Sequence, residues 1–202
     1  LRSIAAGYQS IISNDAKIII AGGQESMTNA PHTIDFRNNK KLDESKLVDT
    51  MIKDGLWDAF NGYHMGVTAE NVAEKFQITR EEQDKFALKS QEKALKAQKE
   101  DKFKEEIINF KIKSKKTETD FYKDEHPRQE INLEALSRLK PVFKKNGTVT
   151  AGNSSGINDG AAAVTLMSND EADKRGIKKL VSIKSWASCG VDPALMGTGP
   201  IP

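Results

Sequence analysis

Apolar positions along the chain follow two different spacings. Over residues 1–13, Leu1, Ile4, Ala5, Tyr8 and Ile12 recur at three- and four-residue intervals and line one face of a helix. Asn14 and Asp15 stop it, because short polar side chains capture nearby backbone groups. The next segment, AKIIIAGG, packs three β-branched residues together (Ile18, Ile19, Ile20) before Gly22 and Gly23. It predicts a buried strand, and its unbroken apolar run predicts cover on both faces.

Residues 31–49 are polar and loop-like, and include Arg37, Lys40 and Lys41. Helical spacing resumes from Val48 with Met51, Ile52 and Leu56, and again over about residues 68–76 with Val67, Val72, Ala73 and Phe76. Thr79 and Glu82 match a capping box, in which hydroxyl and carboxylate each satisfy an orphan backbone amide. The helix they open runs through FALKSQEKALKAQKE, with Phe86, Ser90, Ala94 and Ala97 as its predicted stripe. Ile108, Phe110 and Ile112 alternate as in a strand, and residues 113–130 are charged and irregular. LEALSRLKPVF predicts a short helix ending near Pro141. AAAVTLM predicts a second buried strand, residues 169–176 a helix closed by Gly176, and LVSIKSWASCG a third strand. The order is that of an α/β protein, with a polar insertion over about residues 28–150 between two strands of one sheet.

Composition narrows the function only slightly. The 31 basic and 29 acidic side chains leave a net charge of +2, which gives no whole-chain pull toward nucleic acid or an anionic membrane. Apolar runs are strand-sized, so none predicts a membrane span. The single cysteine, Cys189, excludes a disulfide within these 202 residues and fits a reducing compartment. It reads as a structural or, at most, redox-accessible thiol.

Candidate chemistry is sparse. GNSSGINDG, residues 152–160, carries closely spaced glycines, with Ser154 and Ser155 as extra donors. It reads first as a turn before a strand and second as an anion-binding concavity. It matches neither the lysine-bearing phosphate loop nor the dinucleotide fingerprint. His64 reads as a hydrogen-bonded structural group, and His32 and His126 lack neighbours at metal-ligand spacing. Glu81, Glu82 and Asp84 read as helix-start acids favoured by the dipole, and the run Lys111–Lys116 as a solvated edge.

Several segments together carry a resemblance that spans essentially the whole chain: LRSIAAGYQ, IIIAGGQESM, DGLWDAF, GYHMG, TAENVAE, TREEQDKFALKSQ, GTVTAGNSSG, NDGAAAV and MGTGPIP. In order, they resemble the thiolases, and the pair His64-Met65 resembles the short-chain, acetoacetyl-CoA branch. The resemblance implies a partial thiolase-like α/β fold: an incomplete N-terminal half with an inserted loop domain, plus the start of the C-terminal half. Residues 1–27 would be N-terminal core, 28–150 the CoA-binding loop domain, 151–177 the return to the core and 178–202 the start of the second half.

The resemblance also implies a site. Leu56, His64 and Met65 would line the pantetheine and acyl end, with Met65 shortening it. Arg128 would lie near the adenine and phosphate end, where a guanidinium suits planar or anionic groups. Leu139, Val142 and Phe143 would form an apolar wall, and Ala151 and Ser155 the loop beside pantetheine. The family's nucleophilic cysteine would precede Leu1, and its histidine and second cysteine would follow Pro202. The chain alone is therefore expected to be inactive.

The implied whole-protein reaction condenses two acetyl-CoA to acetoacetyl-CoA and CoA, or runs the reverse thiolysis. CoA thioesters are substrates, and neither cofactor nor metal is implied. The resemblance further implies a homodimer or homotetramer and a cytoplasmic location within fatty acid and ketone metabolism. A longer-chain 3-ketoacyl-CoA thiolase and a non-catalytic CoA- or nucleotide-binding module are the alternatives.

Overall fold

The computed structural model describes residues 1–35, 47–114 and 117–202. Arg37, Lys40 and Lys41 of the predicted loop, and Lys115 and Lys116 of the basic run, lie outside the described residues. Two compact units are present, one of residues 1–56, 157–190 and 202, the other of residues 57–156 and 191–201.

The first unit is built on α1 (Arg2–Ile12) and a two-stranded antiparallel sheet of β1 (Ile18–Glu25) and β8 (Gly160–Met167). The register runs from Ile18 opposite Met167 to Glu25 opposite Gly160. Ile19 and Leu166 face each other across the ladder and lie against Gly7 of α1. Side chains alternate across a strand, so Ile18 and Ile20 turn to the opposite face, where Ile20 is 77% exposed. Among the described residues the sheet is covered on one face, that of Ile19 and Leu166, by α1. The arrangement ties its far end through Thr28, whose backbone N–H donates to Asp159 Oδ1 at 2.9 Å.

Two short strands, β2 (His32–Thr33) and β3 (Val48–Asp49), pair antiparallel, and a six-residue π-helix follows over Met51–Leu56. The longer helix predicted from Val48 is shortened to that element. In α5 (Asn169–Lys174), Ser168 caps the start and Gly176 follows the end as predicted, the N–H of Ile177 reaching back to the carbonyl of Ala172. No strand forms over LVSIKSWASCG. A strand needs a ladder partner, and none of the described residues supplies one, so Leu180 and Val181 stand exposed. Arg2 lies over the ring of Trp186 at 4.9 Å.

The second unit contains the hairpin β4 (Trp57–Asp58) to β5 (Tyr63–His64), helices α2 (Met65–Lys75), α3 (Arg80–Lys99) and α4 (Leu133–Ser137), the hairpin β6 (Phe110–Lys113) to β7 (Glu118–Phe121), and a 3-10 helix over Pro193–Thr198. Both halves of the predicted capping box are present at Thr79 and Glu82. The Thr79 backbone N–H and hydroxyl, each donating to Glu82 Oε2 at 2.8 Å, hold the Glu82 carboxyl below its ordinary value. Residues 113–130, read as irregular, contain β7, whose polar sequence ETDF carries no apolar alternation and gives no strand signal.

The stripe of α3 is also corrected. Ala94 and Ala97 are half-buried, but Phe86 is 78% exposed and Ser90 faces solvent; the inward face carries Asp84, Ala87, Leu88 and Gln91 instead. Polar anchoring explains the rotation, because Asp84 is buried in a hydrogen-bonded cluster that turns this face inward.

Candidate functional site

Residues 57–66 form a tight turn that delivers His64 to the start of α2. Asp58 caps the turn: Oδ1 accepts from the backbone N–H groups of Phe60 and Asn61, and Oδ2 accepts from the side chain of Asn61 at 2.8 Å. The Asn61 side chain chiefly, together with these amides, holds the Asp58 carboxyl below the usual carboxylate range. Gly62 closes the turn at φ +76°, a conformation that L side chains rarely adopt.

The chain then enters α2 with His64 as its N-cap. Nδ1 of the imidazole accepts from the N–H of Gly66 at 3.0 Å. Nδ1 is thereby the acceptor, which leaves Nε2–H as the available donor of the neutral ring. Phe143 stacks on this imidazole, with ring centroids 4.7 Å apart and planes 22° apart. The close approach requires glycine at 66, since a Cβ there would fall inside the Phe143 ring. His64 and Phe143 are therefore brought together, with Met65 next in the chain at the start of α2.

The glycine-rich loop is held from beneath. Glu70 of α2 is only 4% exposed and accepts from the backbone N–H groups of Thr148 and Val149, each at 2.8 Å, and from the Thr148 hydroxyl at 2.9 Å. Gln83 of α3 donates to the same hydroxyl. Asn153 bridges the loop internally: Oδ1 accepts from Thr150 N–H at 2.8 Å, and Nδ2 donates to the Thr148 carbonyl and to Asp84 Oδ1, both at 3.0 Å. Thr150 is fully buried, and its hydroxyl accepts from Gly152 N–H.

The Ser154 hydroxyl donates to the Thr150 carbonyl, so of the two serines read as ligand donors it is already engaged within the loop. Ser155 is exposed and has no hydrogen-bond partner among the described residues. Ala151 is exposed beside it.

The apolar segment is joined to the loop. Val142 N–H donates to the Val149 carbonyl at 3.0 Å, and the Leu139 side chain packs where a Cβ on Gly152 would stand. Leu139, Val142, Phe143, Ala151 and Ser155 thus lie along adjoining stretches of backbone. Arg128 is exposed, with its backbone N–H bonded to Gln91 Oε1 of α3. Leu56 is half-buried at the end of the π-helix and belongs to the first unit.

Among the described residues no group of three His, Cys, Asp or Glu side chains could hold a metal, and no helix is long and apolar enough to cross a membrane. An open depression of about 520 Å³ beside the β6–β7 hairpin, lined by Phe103, Ile107 and Tyr122, contains none of the predicted site residues.

The loop-building roles of Glu70, Arg80, Asp84 and Asn153 are not legible in the sequence pattern. The readable signal was an acid on the apolar side of a helix: Glu70 lies one turn from Ala73, and Asp84 one turn from Leu88. Asp84 serves as a buried partner of Arg80 and Asn153, a role beyond the dipole effect read from its position.

The family model for the thiolase N-terminal domain matches residues 1–170. The chain belongs to the thiolase family. It is 56% identical over all 202 residues to an acetyl-CoA acetyltransferase of Rhizobium meliloti (strain 1021), covering 51% of that protein. It is 49% identical to the cytosolic acetyl-CoA acetyltransferase of Rattus norvegicus, again over the whole chain and 51% of the relative. The thiolase chain thus spans about half the length of the curated relatives it matches.

Among solved structures, human mitochondrial 3-ketoacyl-CoA thiolase superposes with a TM-score of 0.92 at 41% identity, over 100% of this chain and 51% of that one. The same human enzyme in complex with CoA gives 0.91 at 40% identity, over 100% of this chain and 50% of that one. The fold is a partial thiolase fold, mixed in helix and strand.

Proposed function

We propose that this thiolase chain supplies the CoA-thioester cradle of an acetyl-CoA C-acetyltransferase, which condenses two acetyl-CoA to acetoacetyl-CoA and CoA or runs the reverse thiolysis. The observation that carries the reading is the loop of residues 148–155, fastened to α2 and α3 from beneath and presenting Ala151 and the unengaged hydroxyl of Ser155 outward. The names of the relatives support the choice of reaction. On this reading the stacked pair His64 and Phe143 with Met65 bounds the acyl and pantetheine end, and Leu139 and Val142 extend the apolar wall. Arg128 meets the adenine and phosphates.

The chain's own groups bind and orient the thioester. Acyl transfer itself falls to an activated thiol nucleophile and a base, which this reading places outside residues 1–202. CoA thioesters are its substrates, without a metal or other cofactor. A homodimer or homotetramer and a cytoplasmic location belong to the same proposal.

A longer-chain 3-ketoacyl-CoA thiolase is the second reading, favoured by the superposition on the human mitochondrial enzyme of that name. Chain-length selectivity separates the two. The full-length protein is expected to prefer acetoacetyl-CoA over a six- or eight-carbon 3-ketoacyl-CoA in kcat/KM, and Met65→Ala is expected to narrow that preference. Equal or better turnover of the longer substrate by the unmutated protein would select the second reading.

A further inference from the structure

Two parts of the proposed cradle, the segment around Leu139 and the loop 151–155, are both tied to one buried carboxylate. Asp84 is 3% exposed. Its Oδ2 accepts from Arg80 Nε at 2.8 Å, and the same guanidinium donates to the carbonyls of Leu136 at 2.6 Å and Leu139 at 3.0 Å. Its Oδ1 accepts from Asn153 Nδ2, and Asn153 in turn fixes Thr148 and Thr150. One continuous hydrogen-bond network, charge-assisted at Arg80 and Asp84, therefore sets the spacing between apolar segment and loop. Of its members only Leu139, which enters through its backbone carbonyl, is also among the residues proposed to meet substrate.

We propose that Asp84 and Asn153 are positioning residues that set the affinity of the CoA-thioester site by fixing the loop 151–155 relative to Leu139. The inference rests on the reading of that loop as a CoA cradle. Asn153 can satisfy all its partners because an amide carries both an acceptor for Thr150 N–H and donors for Asp84 and the Thr148 carbonyl. A carboxylate at 153 keeps the acceptor but faces Asp84 with like charge. An amide at 84 turns a donor toward either Arg80 or Asn153. Combining the two exchanges restores a donor–acceptor match between positions 84 and 153, at the cost of the bond to the Thr148 carbonyl.

The test is steady-state kinetics of the full-length protein with acetoacetyl-CoA and CoA, for Asn153→Asp, Asp84→Asn and the double variant. Each single exchange is expected to raise KM about tenfold with kcat within about threefold of the parent, and the double variant to recover most of the KM. A purely structural role would lower the active fraction, reducing the apparent kcat at constant KM, and that result overturns the proposal.

Should Asn153→Asp prove insoluble, Asn153→Ser keeps a small acceptor without the charge conflict. Its KM is expected to rise by a smaller factor, and an unmoved KM overturns the proposal. Failure of the unmutated protein to turn over any CoA thioester sinks the reading of the site and this inference with it. Turnover by the parent with KM unmoved in every variant sinks the inference alone.

Discussion

Removing the carboxylate of Glu70 isolates what anchors the loop. In Glu70→Ala, Val149 N–H loses its Glu70 acceptor in a residue 6% exposed, while the half-buried Thr148 N–H regains water more readily. An orphaned buried donor costs about 1–3 kcal/mol, and hydrogen bonds to a charged group contribute about 1.5–3 kcal/mol each. The Thr148 hydroxyl keeps Gln83 as a partner, which limits its share. Together these point to a local destabilisation of about 3 kcal/mol. At about 1.4 kcal/mol per tenfold, the amides of Thr148 and Val149 should open roughly a hundredfold more often. Hydrogen exchange on the full-length protein, read at these two residues, measures the change. Glu70→Gln, which keeps one carbonyl oxygen, should fall between the two. Equal protection of Val149 in parent and Glu70→Ala would refute the claim that this carboxylate anchors the loop.

Three further outcomes are expected. Thr79→Ala breaks the capping box at the start of α3 and should lower stability by about 1 kcal/mol in denaturant unfolding, with no change expected if the helix is held by packing alone. Gly66→Ala drives a methyl into the Phe143 ring and should cost about 1–3 kcal/mol while separating the His64 and Phe143 rings; a crystal structure of the variant with the stack intact would contradict this. The Asp58 carboxyl is held below its ordinary value of 3.8, so its stabilising effect is full above that value and is lost as the pH falls through the lowered one. The stability gap between the parent and Asp58→Asn should therefore close on acidification, and a gap independent of pH would exclude this role.

Local signals were legible where one short motif determines the outcome. The α1 helix, the Thr79 and Glu82 box, the triple isoleucine of β1 and Gly176 after α5 each declare themselves within a few residues, although Leu1 and Ile12 of the predicted α1 face stand exposed. What the pattern missed depends on distant partners. The run containing Leu180 and Val181 has strand composition but no ladder neighbour among the described residues, and β7 has a neighbour but no strand composition.

The loop site divides along the same line. Its glycines and serines mark GNSSGINDG in the sequence, but the clamp depends on Glu70 and Asp84, which lie 78 and 69 residues from the groups they hold. A carboxylate on a helix's inward face is readable as an oddity; which amides it meets is not.

On the proposed function, the loop 151–155 and the neighbouring segment 139–143 form a cradle for CoA thioesters. Hydrogen exchange of the full-length protein with and without saturating CoA tests it most directly. The expected result is added protection in both segments and around His64 and Met65, saturating with CoA concentration. CoA binding that protects other regions and leaves both segments unchanged would contradict the account.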